Sequence, residues 1–330
     1  MLLQPEGPDA VTSGQAKMNR STRGQWDLFA RHRAEIERLI VPAAGGGRAC
    51  VMGAGNCNDL DLKWLSGAYA EVRLVDIDPA ALERAVERQL GGGVRGEGEE
   101  EMRGGVVMQA PVDLTGIADL VGSWKGRRVP SEVVGQAVGV VEGRGLDDPA
   151  KGDGVILVGR ATGASAGFAA SPFGSAPGVG AEGPGDWVEP LRGRFDLALS
   201  PCVLSQLWCA VRDVLGGDHP SWPGLKAAIG RRHLREMVAL LRPGGRGVIV
   251  CDLAASTRVP GLERAGEAEW PGLMRNVIDQ EKGFRGLAPA EMTAAVRGAG
   301  GREIEVTRPW VWHLGVNKAF LCYGVTFRKG

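Results

Sequence analysis

Two short segments near the start of the chain predict strands, and a segment with helical spacing follows each of them. Residues 49–52 are a short apolar run, and residues 71–76 (EVRLVD) predict a second strand that ends in an acid. Residues 60–65 begin the first helical segment, while Asp78 and Pro79 begin the second as N-cap and first helical residue. This strand–helix–strand–helix order predicts a parallel sheet with helices on both faces.

The same pattern returns later in the chain. Residues 106–112, 195–200 and 247–252 predict three more strands, and the alternating segments 303–313 and 318–328 are close enough in sequence to pair as a hairpin. Helical spacing is found over 115–124, 131–141, 203–215, 231–242, 272–282 and 289–299. The predicted fold class is therefore α/β: a doubly wound, Rossmann-like, seven-stranded sheet, mostly parallel, with a C-terminal antiparallel hairpin and helices on both faces.

The pattern also divides the chain. Residues 1–47 are predicted as an N-terminal tail, loose over 1–20, and a helix over about 26–40 that covers a site or packs at the sheet edge. Residues 48–330 form one ligand-binding domain, interrupted by a Gly/Ala/Pro-rich loop insertion at about 142–190.

Composition narrows the range of partners. Basic and acidic residues number 39 each, so the net charge is zero, whereas proteins that hold many nucleic-acid phosphates carry a basic excess. No apolar run approaches the roughly 18 residues that a membrane span needs, and the polar first residues do not have the form of a secretory signal. Six scattered cysteines and four scattered histidines predict buried thiols and no metal site. We expect a cytoplasmic protein with neither a nucleic-acid partner nor a membrane.

The first candidate chemistry lies at the ends of the first two strands. Gly53 and Gly55 form a turn after the first strand, and Asp76 ends the second, 21 positions after Gly55. Because the carboxyl ends of neighbouring parallel strands meet at one edge, the turn and the acid are expected to face one ligand. A carboxylate there can accept hydrogen bonds from two ribose hydroxyls, so the pattern indicates an adenosine-containing ligand.

The residues after the glycine turn discriminate between two such ligands. A dinucleotide-binding turn has a third glycine, and that position is Asn58 here. The turn is followed by Asn56, Asn58, Asp59 and Asp61. These polar groups suit an ammonium group or a water network better than a pyrophosphate, and they favour a cationic sulfonium ligand with an amino-acid tail.

Five motifs then stand in order along the chain. They are CVMGAGNCND at 50–59, LVDIDP at 74–79, APVDLT at 110–115, FDLALS at 195–200 and LRPGG at 241–245. In this order, and with the terminal hairpin, they resemble the class I S-adenosylmethionine-dependent methyltransferases. The resemblance extends over about 48–330 with the insertion removed.

The resemblance implies that S-adenosyl-L-methionine is the cofactor. Asp76 would hold the ribose, Asp113 would accept from the adenine amino group, and Ser200 and Pro201 would lie where the methyl group meets its acceptor. The reading of Asp113 as a plain turn residue stays open. The positions that match the family's cofactor contacts are Gly53, Ala54, Gly55, Asn56, Asn58, Asp59, Asp76, Ile77, Asp113, Leu114, Ser200 and Pro201.

Two positions depart from the family's pattern. Val51 stands where many members have an acid, and Cys57 stands where many have a third glycine. Asn58 and Asp59 are expected to take over part of the role of the missing acid.

The residues after the fourth strand bear on the methyl acceptor. Members of the family that methylate the amino groups of nucleic-acid bases often carry an Asn/Asp-Pro-Pro-aromatic motif there, and this chain has Ser-Pro-Cys-Val at 200–203. The acceptor expected is therefore a small molecule, with Ser205, Gln206 and Trp26 as its candidate contacts. Direct displacement needs mainly alignment of the reacting atoms, and no pattern in the sequence marks a catalytic base.

Two other functions remain open at this point. An aminopropyltransferase-like enzyme needs paired carboxylates for a polyamine, and Asp196 and Asp252 in the fourth and fifth strands are the candidates. A non-catalytic protein that binds S-adenosylmethionine is the second alternative. A nicotinamide-dependent dehydrogenase is disfavoured by Asn58.

Overall fold

The computed structural model describes residues 8–91, 102–103, 105–121, 187–315 and 317–330. Its strands are β1 Arg48–Met52, β2 Glu71–Val75, β3 Met102–Arg103, β4 Val106–Gln109, β5 Phe195–Pro201, β6 Leu241–Ala255, β7 Gly301–Val306, β8 Trp310–His313 and β9 Ala319–Lys329. Its α-helices are α1 Pro8–Thr22, α2 Ala30–Ile40, α3 Leu62–Ala68, α4 Pro79–Leu90, α5 Ala118–Val121, α6 Val203–Leu215, α7 Trp222–Leu240, α8 Trp270–Asp279 and α9 Pro289–Gly298.

The strands form one sheet in the order β3-β4-β2-β1-β5-β6-β9-β7, and β8 also pairs with β9. The strands from β4 to β6 are parallel, while β9 runs antiparallel to β6, β7 and β8. The order reverses at β1, which pairs with β2 on one side and β5 on the other. Ligands bind outside the carboxyl ends of the strands at such a switch point.

The predicted fold class is confirmed: an α/β protein with a mostly parallel sheet and a C-terminal antiparallel hairpin. In the central strand, Ala49, Cys50, Val51 and Met52 are all fully buried. Because successive side chains point to opposite faces, both faces of this strand are covered. The unbroken apolar runs of the sequence reflect that burial.

The number of strands differs from the seven predicted, since the described residues form nine. The segment 303–313 is two strands, β7 and β8, separated by residues 307–309. Pro309 lacks a backbone donor, and the Thr307 hydroxyl accepts from the Gly324 N–H at 2.8 Å in place of a ladder bond. The second additional strand is β3, two residues long, which pairs antiparallel with β4.

The prediction of a loose tail over 1–20 is wrong for its described part, because residues 8–22 form α1. The helix lacks an apolar stripe: Val11 is its buried apolar residue among the described side chains, and Asn19 is buried with it. Polar contacts to other elements hold it instead. A helix stabilised in this way gives no hydrophobic periodicity in the sequence.

Several other predictions can be placed on the structure. Helix α6 matches the predicted 203–215, and α7 begins nine residues before the predicted 231. The helix predicted over 131–141 and most of the insertion lie outside the described residues. At the end of that insertion, Val188 and Leu191 are buried in the core. No helix in the described ranges is long and apolar enough to cross a membrane.

Candidate functional site

The glycine turn lies at the switch point, immediately after β1. Gly53 has a φ of +70°, a conformation that side chains with a Cβ rarely adopt. A Cβ at this position would lie 2.5 Å from Cγ2 of Val203, the first residue of α6. Because Gly53 has no side chain, its backbone can lie close to the start of α6.

The Asp76 carboxylate joins the ends of β1 and β2. Its Oδ2 accepts from the Gly55 N–H at 2.8 Å, and its Oδ1 accepts from the Asp78 N–H at 2.9 Å. Burial raises the pKa of Asp76 to about 6, against the lowering effect of these hydrogen bonds. The prediction that the acid lies beside the turn is thus realised in the fold, and each oxygen keeps a lone pair for a further donor.

The loop after β4 is organised by Asp113. Its Oδ1 accepts from the backbone N–H and hydroxyl of Thr115 at 2.8 and 2.6 Å, and its Oδ2 accepts from the Ala118 N–H at 2.8 Å. Asp113 is therefore a turn residue and also lines the site, so the two interpretations of it are not exclusive. One carboxylate can accept about four hydrogen bonds, and three are used here.

A narrow cavity lies between these three loops, α6 and α1. Its described lining is Val11, Gln15, Gly53, Asp76, Ile77, Val112, Asp113, Leu114, Thr115, Val203, Gln206, Leu207 and Ala210. The structure thus brings five predicted cofactor residues into one cavity: Gly53, Asp76, Ile77, Asp113 and Leu114. Of the predicted acceptor contacts, Gln206 lines it. The cavity volume is about 30 Å³, room for about two waters and far below the roughly 300–1,000 Å³ of small-molecule sites.

Helix α1 is the part of the site that the sequence did not indicate. Val11 and Gln15 line the cavity, and the Gln15 amide donates to the Gln206 side chain at 3.0 Å. The Asn19 amide donates to Asp78 at 3.0 Å, and a Cβ at Gly55 would lie 3.0 Å from Asn19 Oδ1. Helix α1 therefore lies across the glycine turn and narrows the space beside it.

The asparagines after the turn hold α1. The Asn56 amide donates to the Asn19 carbonyl at 2.6 Å, and the Asn58 amide donates to the Thr22 carbonyl at 2.7 Å. Arg88 donates to Asn58 Oδ1 at 3.0 Å. Neither asparagine lines the cavity. Their amides instead donate hydrogen bonds to the C-terminal end of α1.

Four more predicted residues lie apart from the cavity. Ala54 is in the core, and Asp59 lines a separate small cavity with Arg33, where burial raises the pKa of Asp59 to about 7. Trp26 lies under the guanidinium groups of Arg33 and Arg88, 3.6 and 4.7 Å from its ring centroid. Gly55 contributes its N–H to Asp76 and is not in the lining.

The Ser200 side chain points towards helix α7 and not into the cavity. Its fully buried hydroxyl lies 2.7 Å from Nε2 of His233 on α7. Burial lowers the pKa of His233 to about 4, so the imidazole is neutral near pH 7, and its Nδ1 has no partner in the described ranges. Neither Ser200 nor Pro201, the last residue of β5, is in the described cavity lining.

Cys202 lies against a cluster of aromatic rings beyond the end of β5. Nδ1 of His32 accepts from the Trp310 indole at 3.0 Å, so a neutral imidazole carries its proton on Nε2, which lies 4.0 Å from the Cys202 sulfur. Burial lowers the pKa of His32 to about 3. A hydrogen bond to Cys322 and burial raise the pKa of Cys202 well above its usual value. The thiol is therefore un-ionised and poorly suited as a nucleophile.

The remaining acidic candidates lie at opposite ends of the sheet. Asp196, near the start of β5, accepts from the Arg48 N–H at 2.8 Å. Asp252, near the end of β6, accepts from the Ser205 hydroxyl at 2.8 Å and is buried. Burial raises the pKa of Asp252 to about 7, and its Oδ1 has no partner in the part of the chain that the structure describes. The fold does not bring Asp196 and Asp252 together as a carboxylate pair, and Ser205 faces Asp252 outside the cavity.

Comparisons with known proteins give structural likeness at low identity. No family model and no curated protein matches this sequence. N-methyltransferase NodS from Bradyrhizobium japonicum WM9 is 12% identical with a TM-score of 0.38, over 91% of this chain and 96% of that one. Its complex with S-adenosyl-L-homocysteine is 11% identical with a TM-score of 0.39, over 91% of this chain and 87% of that one. A SAM-dependent methyltransferase from Methanosarcina mazei is 12% identical with a TM-score of 0.41, over 88% of this chain and 96% of that one. Values this low assign no function by themselves.

Proposed function

We propose that this protein is an S-adenosylmethionine-dependent methyltransferase that acts on a small molecule. The observation that carries the proposal is the convergence of Gly53, Asp76 and Asp113 on one cavity at the switch point of the sheet. Ligands of doubly wound folds bind at this place. The order of the five sequence motifs supports the same function.

The hydrogen-bond acceptors and the apolar surfaces of the cavity fit the parts of the cofactor. Asp76 offers carboxylate lone pairs to ribose hydroxyls, and Asp113 offers one to an adenine amino group. Ile77 and Leu114 supply apolar surface for a flat ring. The bare backbone at Gly53 allows close approach of an amino-acid tail. A bound cofactor would supply a methyl group on a sulfonium, already activated for displacement.

Space in the cavity depends on α1. With α1 docked, the volume of about 30 Å³ does not hold a nucleoside. The helix is held by side-chain hydrogen bonds from Gln15 and Asn19 and from the two asparagines after the glycine turn. Each is worth about 0.5–1.5 kcal/mol net, or about 1.5–3 kcal/mol where the acceptor is charged. We therefore propose that α1 moves away to let the cofactor enter.

The catalytic role of the chain is then alignment of the acceptor with the methyl group. The titratable groups in the described lining are Asp76 and Asp113, and both already accept backbone hydrogen bonds. A preorganised, dry site contributes by orientation rather than by proton transfer. Gln206, on α6 at the cavity wall, is the proposed acceptor contact. A cytoplasmic location is proposed because the six cysteines are all unpaired.

Parallel calorimetric titrations with S-adenosylmethionine, S-adenosylhomocysteine and NAD test the cofactor. We expect micromolar binding of the first two and none of NAD. Binding of NAD alone would contradict the proposal.

A second candidate is a non-catalytic S-adenosylmethionine-binding protein. The observation in its favour is the narrow cavity under α1. Incubation with cofactor labelled on the methyl group and a panel of small-molecule acceptors separates the two functions. Binding without transfer to any acceptor would favour the second, whereas labelled product establishes the first.

A further inference from the structure

A larger cavity lies on another side of α6, between α6, α7 and α9. Its volume is about 530 Å³, within the range of small-molecule sites. Leu204 and Trp208 of α6 line it, whereas Val203, Gln206 and Leu207 line the candidate cofactor site. At 3.6 residues per turn these two sets lie on different faces of the helix. Helix α6 therefore separates the two cavities, and a molecule in the larger one is not in the place of the methyl acceptor.

The ring of Trp208 forms one wall of this cavity. Trp208 is 7% exposed, and it packs against two glycines that leave room for the indole: a Cβ at Gly286 would lie 3.1 Å from its Cη2, and a Cβ at Gly230 would lie 3.4 Å from its Cζ2. Its indole nitrogen is buried without a hydrogen-bond partner among the described residues. Buried Trp donors usually have a partner, so the wall holds an unsatisfied donor.

The charged side chains around the cavity are mostly positive. Lys226, Arg231 and Arg285 line it, against the single acid Glu291 among the described lining residues. Glu291 already accepts from the backbone N–H groups of Gly286 and Ala288 at 3.0 and 3.1 Å. Lys226 lies 4.3 Å from the Trp208 ring centroid and donates to the Arg285 carbonyl. Arg285 also pairs with Glu281 at 3.7 Å, outside the described lining. With this pair counted, the cations around the cavity exceed the acids by one positive charge.

The rest of the described lining is largely apolar. It includes Leu204, Trp222, Leu234, Met292 and Ala295. An occupant that matches both surfaces has a flat or aliphatic body and one anionic group, because guanidinium groups bind carboxylates and phosphates through paired hydrogen bonds. We propose that this cavity binds a small organic anion, with its apolar body against Trp208 and its carboxylate or phosphate at Arg231.

The test uses the full chain without cofactor, so its outcome is independent of the methyltransferase assignment. The ligands are 2-naphthoate, 2-naphthyl phosphate and the neutral 2-naphthalenemethanol, titrated by calorimetry. We expect at least one of the anions to bind about tenfold more tightly than the alcohol. The more tightly bound anion identifies the head group. Equal affinity for the alcohol, or no binding of either anion at about 1 mM, would overturn the proposal.

Variants locate the binding. Arg231→Gln removes a lining cation, and its matched control is Arg235→Gln, one turn along α7 and outside the described lining. We expect Arg231→Gln to weaken anion binding about tenfold and Arg235→Gln to change it less than twofold. Ala295→Phe fills the cavity and should abolish binding. Equal losses in the two arginine variants, or full binding to a folded Ala295→Phe protein, would contradict the proposal.

Discussion

The side-chain amide of Asn19 donates a 3.0 Å hydrogen bond to the Asp78 carboxylate, although 59 residues separate them in sequence. Asp78 caps α4 by accepting from the Ala81 N–H and stands two residues after Asp76. The N-terminal helix is thus tied directly to the candidate ribose site.

Asn19→Ala is expected to tighten the binding of S-adenosylmethionine. The substitution removes a hydrogen bond to a carboxylate that exists while α1 narrows the cavity, worth about 1.5–3 kcal/mol. If the docked helix competes with the cofactor, the affinity rises by roughly 10-fold or more, up to about 150-fold. Calorimetry measures the change, and Arg20→Ala, an exposed position on the same helix, is the control. Weaker binding in Asn19→Ala would instead show that α1 contacts the bound cofactor.

Asp76→Ala is expected to weaken cofactor binding by roughly 1–3 kcal/mol, since hydrogen bonds to a charged acceptor are lost. Asp76 also accepts from Gly55 and Asp78, so the melting temperature is measured alongside the affinity. Asp196→Ala, at the other end of the sheet, is the matched control and should keep full affinity. An unchanged affinity in a folded Asp76→Ala protein would mean that the ribose is held elsewhere.

Ser200→Ala is expected to lower stability without affecting cofactor binding. The substitution leaves the buried His233 imidazole without its partner on Nε2, and no described residue contacts its Nδ1 through a hydrogen bond. The cost of such a buried group is about 1–3 kcal/mol. Urea unfolding measures the loss, and the affinity for S-adenosylmethionine should stay within twofold. A loss of affinity at unchanged stability would place the Ser200 hydroxyl at the cofactor.

Asp252 is expected to make stability fall as the pH rises. Burial raises its pKa to about 7 in the folded protein, above the unfolded value of about 3.9. The folded state therefore binds more protons between about pH 4 and pH 7, and the free energy of unfolding declines across this window. Asp252→Asn removes this term, so its stability relative to the parent rises across the same window, by roughly 2–4 kcal/mol at most.

The matched control for this pH dependence is Asp213→Asn, at an exposed position on α6. Its pH profile of stability should run parallel to that of the parent protein. A parallel profile for Asp252→Asn as well would show that Asp252 titrates normally in the folded state.

Much of the sheet and part of the candidate site are predictable from the sequence. Gly53, Asp76 and Asp113 each follow a segment predicted as a strand, and parallel topology brings such positions to one edge. The run before Gly53 is continuously apolar because its strand is buried on both faces. The glycine turn and the acid after β2 can be recognised from the local sequence, without knowledge of the rest of the fold.

The remaining differences have physical causes. Alternation along β5 assigns Ser200 and Leu199 to opposite faces, but it does not say which face meets α7 and His233. Helix α1 is held by polar contacts, among them the amide hydrogen bonds of Gln15 and Asn19, and such contacts leave no periodicity in hydropathy. The roles of Asn56 and Asn58 depend on that helix, so they were equally inaccessible to sequence reasoning.

The docked helix has a kinetic consequence. If the cofactor enters only when α1 is released, the helix opens before each productive encounter, and the observed association rate approaches a ceiling as the cofactor concentration rises. That ceiling equals the opening rate of α1. Residues 8–22 would then determine how quickly the cofactor binds, while the residues at the ends of the strands determine how slowly it dissociates.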